Sequence, residues 1–200
     1  MGNIESVANA MSELEVDCFI TNEAKYIRKA NSIIFPGVGA YPRAMKNLKT
    51  LSLFEEIKKS VLIEKTPFLG ICLGMQLLFD ESEEQGLTKG LGFIKGKVKR
   101  LNHSFNSPVP HVGWNGLELI KENPLFLDID INAKFYYDHS YFATTVDQAS
   151  FATLDYGEKM TVGVWKNNIF GVQFHPEKSQ RNGLKLLRNF VNFSKGVELS

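Results

Sequence analysis

The chain has 200 residues, 44% of them apolar and 22% charged, with a formal net charge of +1. That length suits one domain, residues 1–200, since domains commonly run about 100–200 residues. The composition excludes disordered, collagen-like and coiled-coil classes, and the near-neutral charge gives no reason to expect a nucleic acid or an anionic membrane as partner.

In chain order, Ile4, Val7, Ala8, Met11 and Leu14 recur at three- and four-residue steps, which predicts an amphipathic helix. "VDCFIT" (Val16–Thr21) then reads as a short buried strand that includes Cys18, and "SIIFPGVG" (Ser32–Gly39) as another that stops at Pro36. Met45, Leu48 and "LFEEIKKSVLIE" carry helical spacing. Pro67 ends that helix and opens the four-residue strand "FLGI", after which "LGMQLLF" resumes as helix. The acidic run Asp80–Glu84 ("DESEE") reads as a solvated loop. Short apolar strands between helices predict an α/β fold with a central, mostly parallel sheet covered on both faces. In the second half, "GFIKGKVKRL", "AKFYYDHSYFAT", "ASFATLDYG", "MTVGVWKN" and "NIFGVQFHP" are strand-like runs joined by Gly and Asn turns. They predict a smaller antiparallel or mixed sheet beside the parallel one, and a last helix covers about Gln180–Ser194.

No apolar run approaches the roughly 20 residues of a membrane span. The first residues lack the basic and apolar regions of a signal peptide. Two cysteines make no disulfide framework, and no Cys/His cluster has zinc spacing. The expected compartment is the cytoplasm, with no metal and no cofactor implied.

"Gly70-Ile71-Cys72-Leu73-Gly74" has the form G-x-nucleophile-x-G between a strand and a helix. Such a turn puts the central residue at strained backbone angles and lifts its side chain above the carboxyl end of the sheet. A helix N-terminus there favours the thiolate and leaves the Leu73 N–H free for an oxyanion. The plainer account of Cys72 is a small core residue; the glycines on either side speak against it. A thiolate nucleophile needs a histidine and a group to orient it. "GVQFHPEKS" offers His175 at the end of an apolar strand, with Glu177 two residues on. His103 lies among polar loop residues and is expected to face solvent, and His111 and His139 are intermediate cases.

"GICLGMQLLF" with "GVQFHPEKS" resembles the class I (triad) glutamine amidotransferases. "GNIESVANA", "PGVGAYPRAM", "VPHVGWN" and "HSYF" are similar, within that class, to the glutaminase subunits of imidazole glycerol phosphate synthases, over essentially the whole chain. The resemblance implies that Cys72 attacks the side-chain amide of L-glutamine while His175 moves the proton and Glu177 orients it. It implies an oxyanion hole made by the Leu73 N–H and one from "PGVG", Val38 or Gly39, where flanking glycines allow a peptide flip. It places Gln76, Ser140, Tyr141 and Tyr136 on the substrate. The implied partner is a (β/α)₈-barrel cyclase, joined as a heterodimer, that receives ammonia through a tunnel, with Asn3, Trp114, Asn115 and Lys178 on segments that face it. A paralogue supplying ammonia for sugar amidation in surface polysaccharides, and a non-catalytic scaffold of the same fold, are the alternatives.

Members of this family open with an apolar strand before "GNI", whereas here Met1-Gly2-Asn3 leads straight into the first helix. The resemblance therefore implies that the first strand is missing. Either the true start lies upstream, or neighbouring backbone groups are left unpaired and stability falls; the catalytic positions all lie after the gap and are expected intact.

Overall fold

The computed structural model describes residues 2–103 and 107–196, with side chains from residue 4 onward. In chain order its helices are α1 (Gly2–Glu13), α2 (Ala24–Ile27), α3 (Tyr41–Thr50), α4 (Leu53–Lys58), α5 (Leu73–Gln76) and α6 (Gln180–Ser194). The strands of the first half are β1 (Ile33–Gly37), β2 (Phe68–Cys72), β3 (Phe79–Ser82), β4 (Thr88–Lys89) and β5 (Ile94–Arg100). Those of the second are β6 (His111–Asn115), β7 (Glu118–Leu119), β8 (Phe135–His139), β9 (Tyr141–Thr145), β10 (Ser150–Asp155), β11 (Lys159–Lys166) and β12 (Ile169–Val172).

One mixed sheet runs in the order β1-β2-β12-β11-β9-β5-β3-β4, with β10 added on β11 and β7 on β10. Its β1–β2–β12 portion is parallel. The strands of the second half largely continue this sheet, and the separate smaller sheet is the antiparallel pair β6–β8. β2 is buried along its whole length. Its side chains alternate between two apolar layers: Leu69 and Ile71 pack with Val7, Met11, Leu186 and Phe190 of α1 and α6, and Phe68 packs with Met45, Leu48 and Ile57 of α3 and α4. Covering both faces explains why such a strand reads as a continuous apolar run. Each fully buried Leu, Ile or Phe contributes about 1.5–3 kcal/mol relative to exposure.

Three expectations need correction. Val16–Thr21 forms no strand; Phe19 and Ile20 are 64% and 59% exposed and Cys18 is exposed rather than core. A strand exists only where a neighbour accepts its hydrogen bonds, and among the described residues none pairs with this segment. Pro36 lies inside β1 instead of ending it, which is tolerated because, among the described residues, β1 is paired on one side only, by β2. The helix expected over "LGMQLLF" stops after one turn, and the chain re-enters the sheet at Phe79.

Candidate active site

β2 ends at Cys72 and α5 begins at the next residue. Cys72 takes φ 55° and ψ −112°, a state that costs a non-glycine residue about 1–3 kcal/mol and persists only where the surroundings impose it. Two glycines make the imposition possible. A methyl group on Gly70 would lie 2.6 Å from the Gly74 carbonyl oxygen, and one on Gly74 would lie 1.8 Å from that of Phe35. α5 can therefore sit directly on the ends of β1 and β2. Because α5 is a single turn, the field at its start is that of a few peptide dipoles rather than of a full helix.

This turn sets Cys72 in the wall of a cavity of about 380 Å³. Leu73, Gly37, Val38 and Gly39 line the same cavity, and the parallel register places Gly37 beside Cys72. Val38 is 56% exposed and Gly39 takes φ 97°, with nothing within 4 Å of the side chain it lacks. Gln76, Ser140 and Tyr141 complete part of the wall.

His175 follows β12, and its main-chain N–H donates to the Tyr136 carbonyl of β8 at 2.8 Å. The Ser179 hydroxyl reinforces this junction: it donates to the His175 carbonyl at 2.6 Å and accepts the Tyr136 N–H at 3.0 Å. Pro176–Lys178 form one 3-10 turn that folds Glu177 back, so that His175 Nδ1–H donates to Glu177 Oε1 at 2.8 Å. The two side chains are 2% and 0% exposed. Burial disfavours the charged imidazole, but Cys72 and the Glu177 carboxylate beside it outweigh that and raise its pKa from 6.5 to about 9. The arrangement can hold a thiolate next to an imidazolium, a nucleophile and an acid in one contact. That proton steadies the fold below about pH 6.5, and the contribution is lost as pH rises through about 9.

A pH dependence follows. The kcat/KM of chemistry that uses this pair is expected to fall as pH rises through about 9. In Glu177→Gln the falling limb should move to lower pH, since the carboxylate that holds the proton is gone. A limb that stays in place would mean that Glu177 does not act on His175.

The remaining expected residues fall into two groups. Tyr136 is not part of the cavity wall; its ring lies 6.5 Å from His175, 6.1 Å from Trp114 and beneath the Lys178 ammonium at 5.3 Å. Trp114 is 42% exposed, Lys178 also lines the cavity, and Asn115 donates to His111. Asn3 belongs to α1, and its side chain lies outside the described residues. His103 is exposed, as expected.

Three contributors were not anticipated. Gln173 Nε2 stands 3.7 Å from Cys72 Sγ, and its Oε1 accepts from Gln76 Nε2 at 3.0 Å. Its position two residues before His175 in an extended segment was the available signal, because alternate residues share a face. Glu84 lines the cavity and accepts the Tyr41 N–H at 3.0 Å. The solvated-loop reading of Asp80–Glu84 therefore fails twice over: Asp80–Ser82 belong to β3, and Glu84 turns inward. Ser179 had no local signal, because it acts on a strand far from it in sequence.

Residues 2–193 match the family described as "Glutamine amidotransferase class-I". This chain belongs to that family. The amidotransferase is 45% identical over 190 residues to imidazole glycerol phosphate synthase subunit HisH 1 of Campylobacter jejuni (strain RM1221), covering 95% of this chain and 94% of the relative. It is 46% identical over 196 residues to subunit HisH 2 of Vibrio vulnificus (strain YJ016), covering 98% and 92%. At the level of fold, a solved glutamine amidotransferase superposes with a TM-score of 0.71 at 18% identity, covering 96% of this chain and 93% of that one. The glutaminase domain of Trypanosoma brucei CTPS gives 0.65 at 14% identity, covering 94% and 86%. No helix among the described residues of the amidotransferase is long and apolar enough to cross a membrane.

Proposed function

We propose that this amidotransferase is the glutaminase subunit of an imidazole glycerol phosphate synthase. It hydrolyses L-glutamine to glutamate and ammonia and passes the ammonia to a cyclase subunit in histidine biosynthesis. The observation that carries the reading is Cys72 and His175 at one cavity wall, with Glu177 buried against His175, in a chain whose relatives at 45–46% identity bear that subunit's name. Cys72 attacks the side-chain amide carbon of glutamine. The oxyanion forms against the Leu73 N–H and one from Val38 or Gly39, His175 protonates the departing ammonia, and a glutamyl thioester remains. Water, deprotonated by His175, then releases glutamate and restores the thiol.

Gln76, Ser140 and Tyr141 hold the substrate in this reading. Glutamine also carries an α-ammonium, and the Glu84 carboxylate in the cavity wall suits it. Glu84→Gln keeps an oxygen for the Tyr41 N–H and removes only the charge. It is expected to raise KM for glutamine about 10- to 100-fold with a much smaller change in kcat, the size of a charge-assisted hydrogen bond of about 1.5–3 kcal/mol. An unchanged KM would exclude Glu84 from the substrate contact.

The partner reading is a (β/α)₈-barrel cyclase bound as a heterodimer over the cavity mouth. Half-exposed Trp114, Tyr136 beneath the Lys178 ammonium, and Lys178 itself at the cavity rim support it, because exposed aromatic and cationic groups are what interfaces favour. The proposed unit is a single amidotransferase domain over residues 1–200, working in the cytoplasm. The test is co-purification with the cyclase, then glutamate release from glutamine with and without the cyclase's acceptor, and complementation of a histidine auxotroph that lacks this subunit. Glutamate release together with growth is expected. Release without growth would move the acceptor to another pathway, and no release with cyclase and acceptor present would overturn the glutaminase.

A further inference from the structure

At the cavity wall, which His139 lines, β6 and β8 place His111 directly opposite His139. Both imidazoles are buried, at 1% and 6% exposure, and the His111 ring is stacked between Tyr137 and Tyr156 with centroids 4.8 and 4.0 Å away. Three hydrogen bonds run in series. The Asn115 amide nitrogen lies 2.8 Å from His111 Nε2, His111 Nδ1 lies 3.0 Å from His139 Nε2, and His139 Nδ1 lies 2.9 Å from the Tyr141 carbonyl oxygen.

The last group dictates the direction of all three. A carbonyl oxygen only accepts, so His139 Nδ1 carries a proton. A neutral His139 then has a bare Nε2, which must accept from His111 Nδ1–H. His111 Nε2 is bare in turn and accepts from the Asn115 amide. Burial keeps both rings neutral, lowering the pKa of His111 to about 4 and that of His139 to about 3.

The inner end of this chain is the proposed substrate site. The Tyr141 carbonyl that accepts from His139 also accepts from Gln76 Nε2 at 2.8 Å. Gln76 Nε2 gives its other proton to Gln173 Oε1, and Gln173 reaches Cys72 Sγ. With both amide protons committed, Gln76, a residue of the cavity wall, has only its Oε1 left, an acceptor. β8 itself touches both halves of the chemistry: the Tyr136 carbonyl accepts the His175 N–H at 2.8 Å, and the Asp138 carbonyl oxygen stands 4.0 Å from Cys72 Sγ.

We propose that His111 and His139 are positioning residues for glutamine hydrolysis. They form a one-way chain of neutral imidazoles from the Asn115 amide to the Tyr141 carbonyl, which fixes the Gln76 side chain and holds β8 in place against Cys72 and His175. The inference rests on the glutaminase reading and deepens it. An acceptor fixed at Gln76 favours a ligand that donates there, as the carboxamide of glutamine does and the carboxylate of glutamate does not.

The first test does not depend on activity. Nitrogen-15 spectra of the histidine side chains in the wild-type protein at neutral pH should show His111 and His139 both neutral and both protonated on Nδ1. A proton on Nε2 of either ring, or a doubly protonated ring, overturns the chain. In His111→Phe the His139 ring loses its donor, and its proton distribution should change; an unchanged His139 spectrum counts against the chain. The second test is kinetic, on the complex with the cyclase. His139→Phe keeps a ring and removes both bonds, and should lower kcat/KM at least 10-fold, chiefly through KM. His139→Asn places an amide N–H near the position of Nδ1 and should stay within about threefold of wild type. Equal activity in these two variants, both with wild-type melting temperatures, would reduce His139 to packing. A wild-type complex that releases no glutamate would instead sink the glutaminase reading and leave the spectra to judge the chain alone.

Discussion

Cys72→Ala should reduce glutamine hydrolysis by about 10⁴- to 10⁶-fold, the range seen when a nucleophile is deleted from a constellation that acts as a unit. Its melting temperature should stay within a few degrees of wild type. Alanine inherits the same φ of 55°, so the strain of the turn is kept, and only one sulfur in a cavity wall is lost. The variant also separates the thiol's electrostatic role from its chemical one. Cys72 is among the groups that hold the His175 proton, so the His175 pKa should fall in Cys72→Ala when followed by its ring resonances. Turnover that survives the substitution would remove Cys72 as the nucleophile. An unmoved His175 would mean that Glu177 alone holds the proton.

Gly74→Ala is expected to be among the most damaging methyl additions near the site. Its Cβ would lie 1.8 Å from the Phe35 carbonyl oxygen, a backbone atom of a strand that cannot move without breaking its pairing with β2. Overpacking of this kind costs about 3 kcal/mol or more, which for a protein of this size is roughly 10 °C in melting temperature. Glutaminase activity should fall with it, because α5 carries both Leu73 and Gln76. Gly116→Ala is the control: nothing lies within 4 Å of the added methyl, and a shift within about 0.5 kcal/mol is expected. Denaturant midpoints for the two variants check both values, and equal midpoints would mean that the β1–α5 contact does not limit stability.

What could be read from the residues followed from how local it is. The turn at Cys72 is written in three positions within five residues, because both flanking glycines answer contacts made within or beside the same turn. His175 and Glu177 are two residues apart, and a single 3-10 turn joins them. His139 and Ser179 depend instead on the register of β8 with β6 and on its bridge to His175. No pattern in one segment reports a register with another segment about 30 to 100 residues away. The seven residues "LGMQLLF" illustrate a different limit. A short apolar run suits a buried helix or a buried strand equally well, and here the chain uses four of its residues for a helical turn and returns to the sheet at the last. Val16–Thr21 has the pattern of a strand and no neighbour to pair with, a condition set by the sheet and not by the segment.

The proline inside β1 shapes the side of that strand that, among the described residues, no neighbour pairs. Ile33 N–H donates to Pro67 O in the parallel register with β2, so Ile33, Phe35 and Gly37 direct their polar groups toward β2 while Ile34 and Pro36 direct theirs outward. Proline has no N–H. The outward row therefore consists of two carbonyls and one donor, the Ile34 N–H. Two copies of such an edge brought together would each offer more oxygens than protons and leave lone pairs facing one another. An open strand is the usual starting point for uncontrolled association. In β1 a single imino acid leaves the pairing of two such edges chemically mismatched.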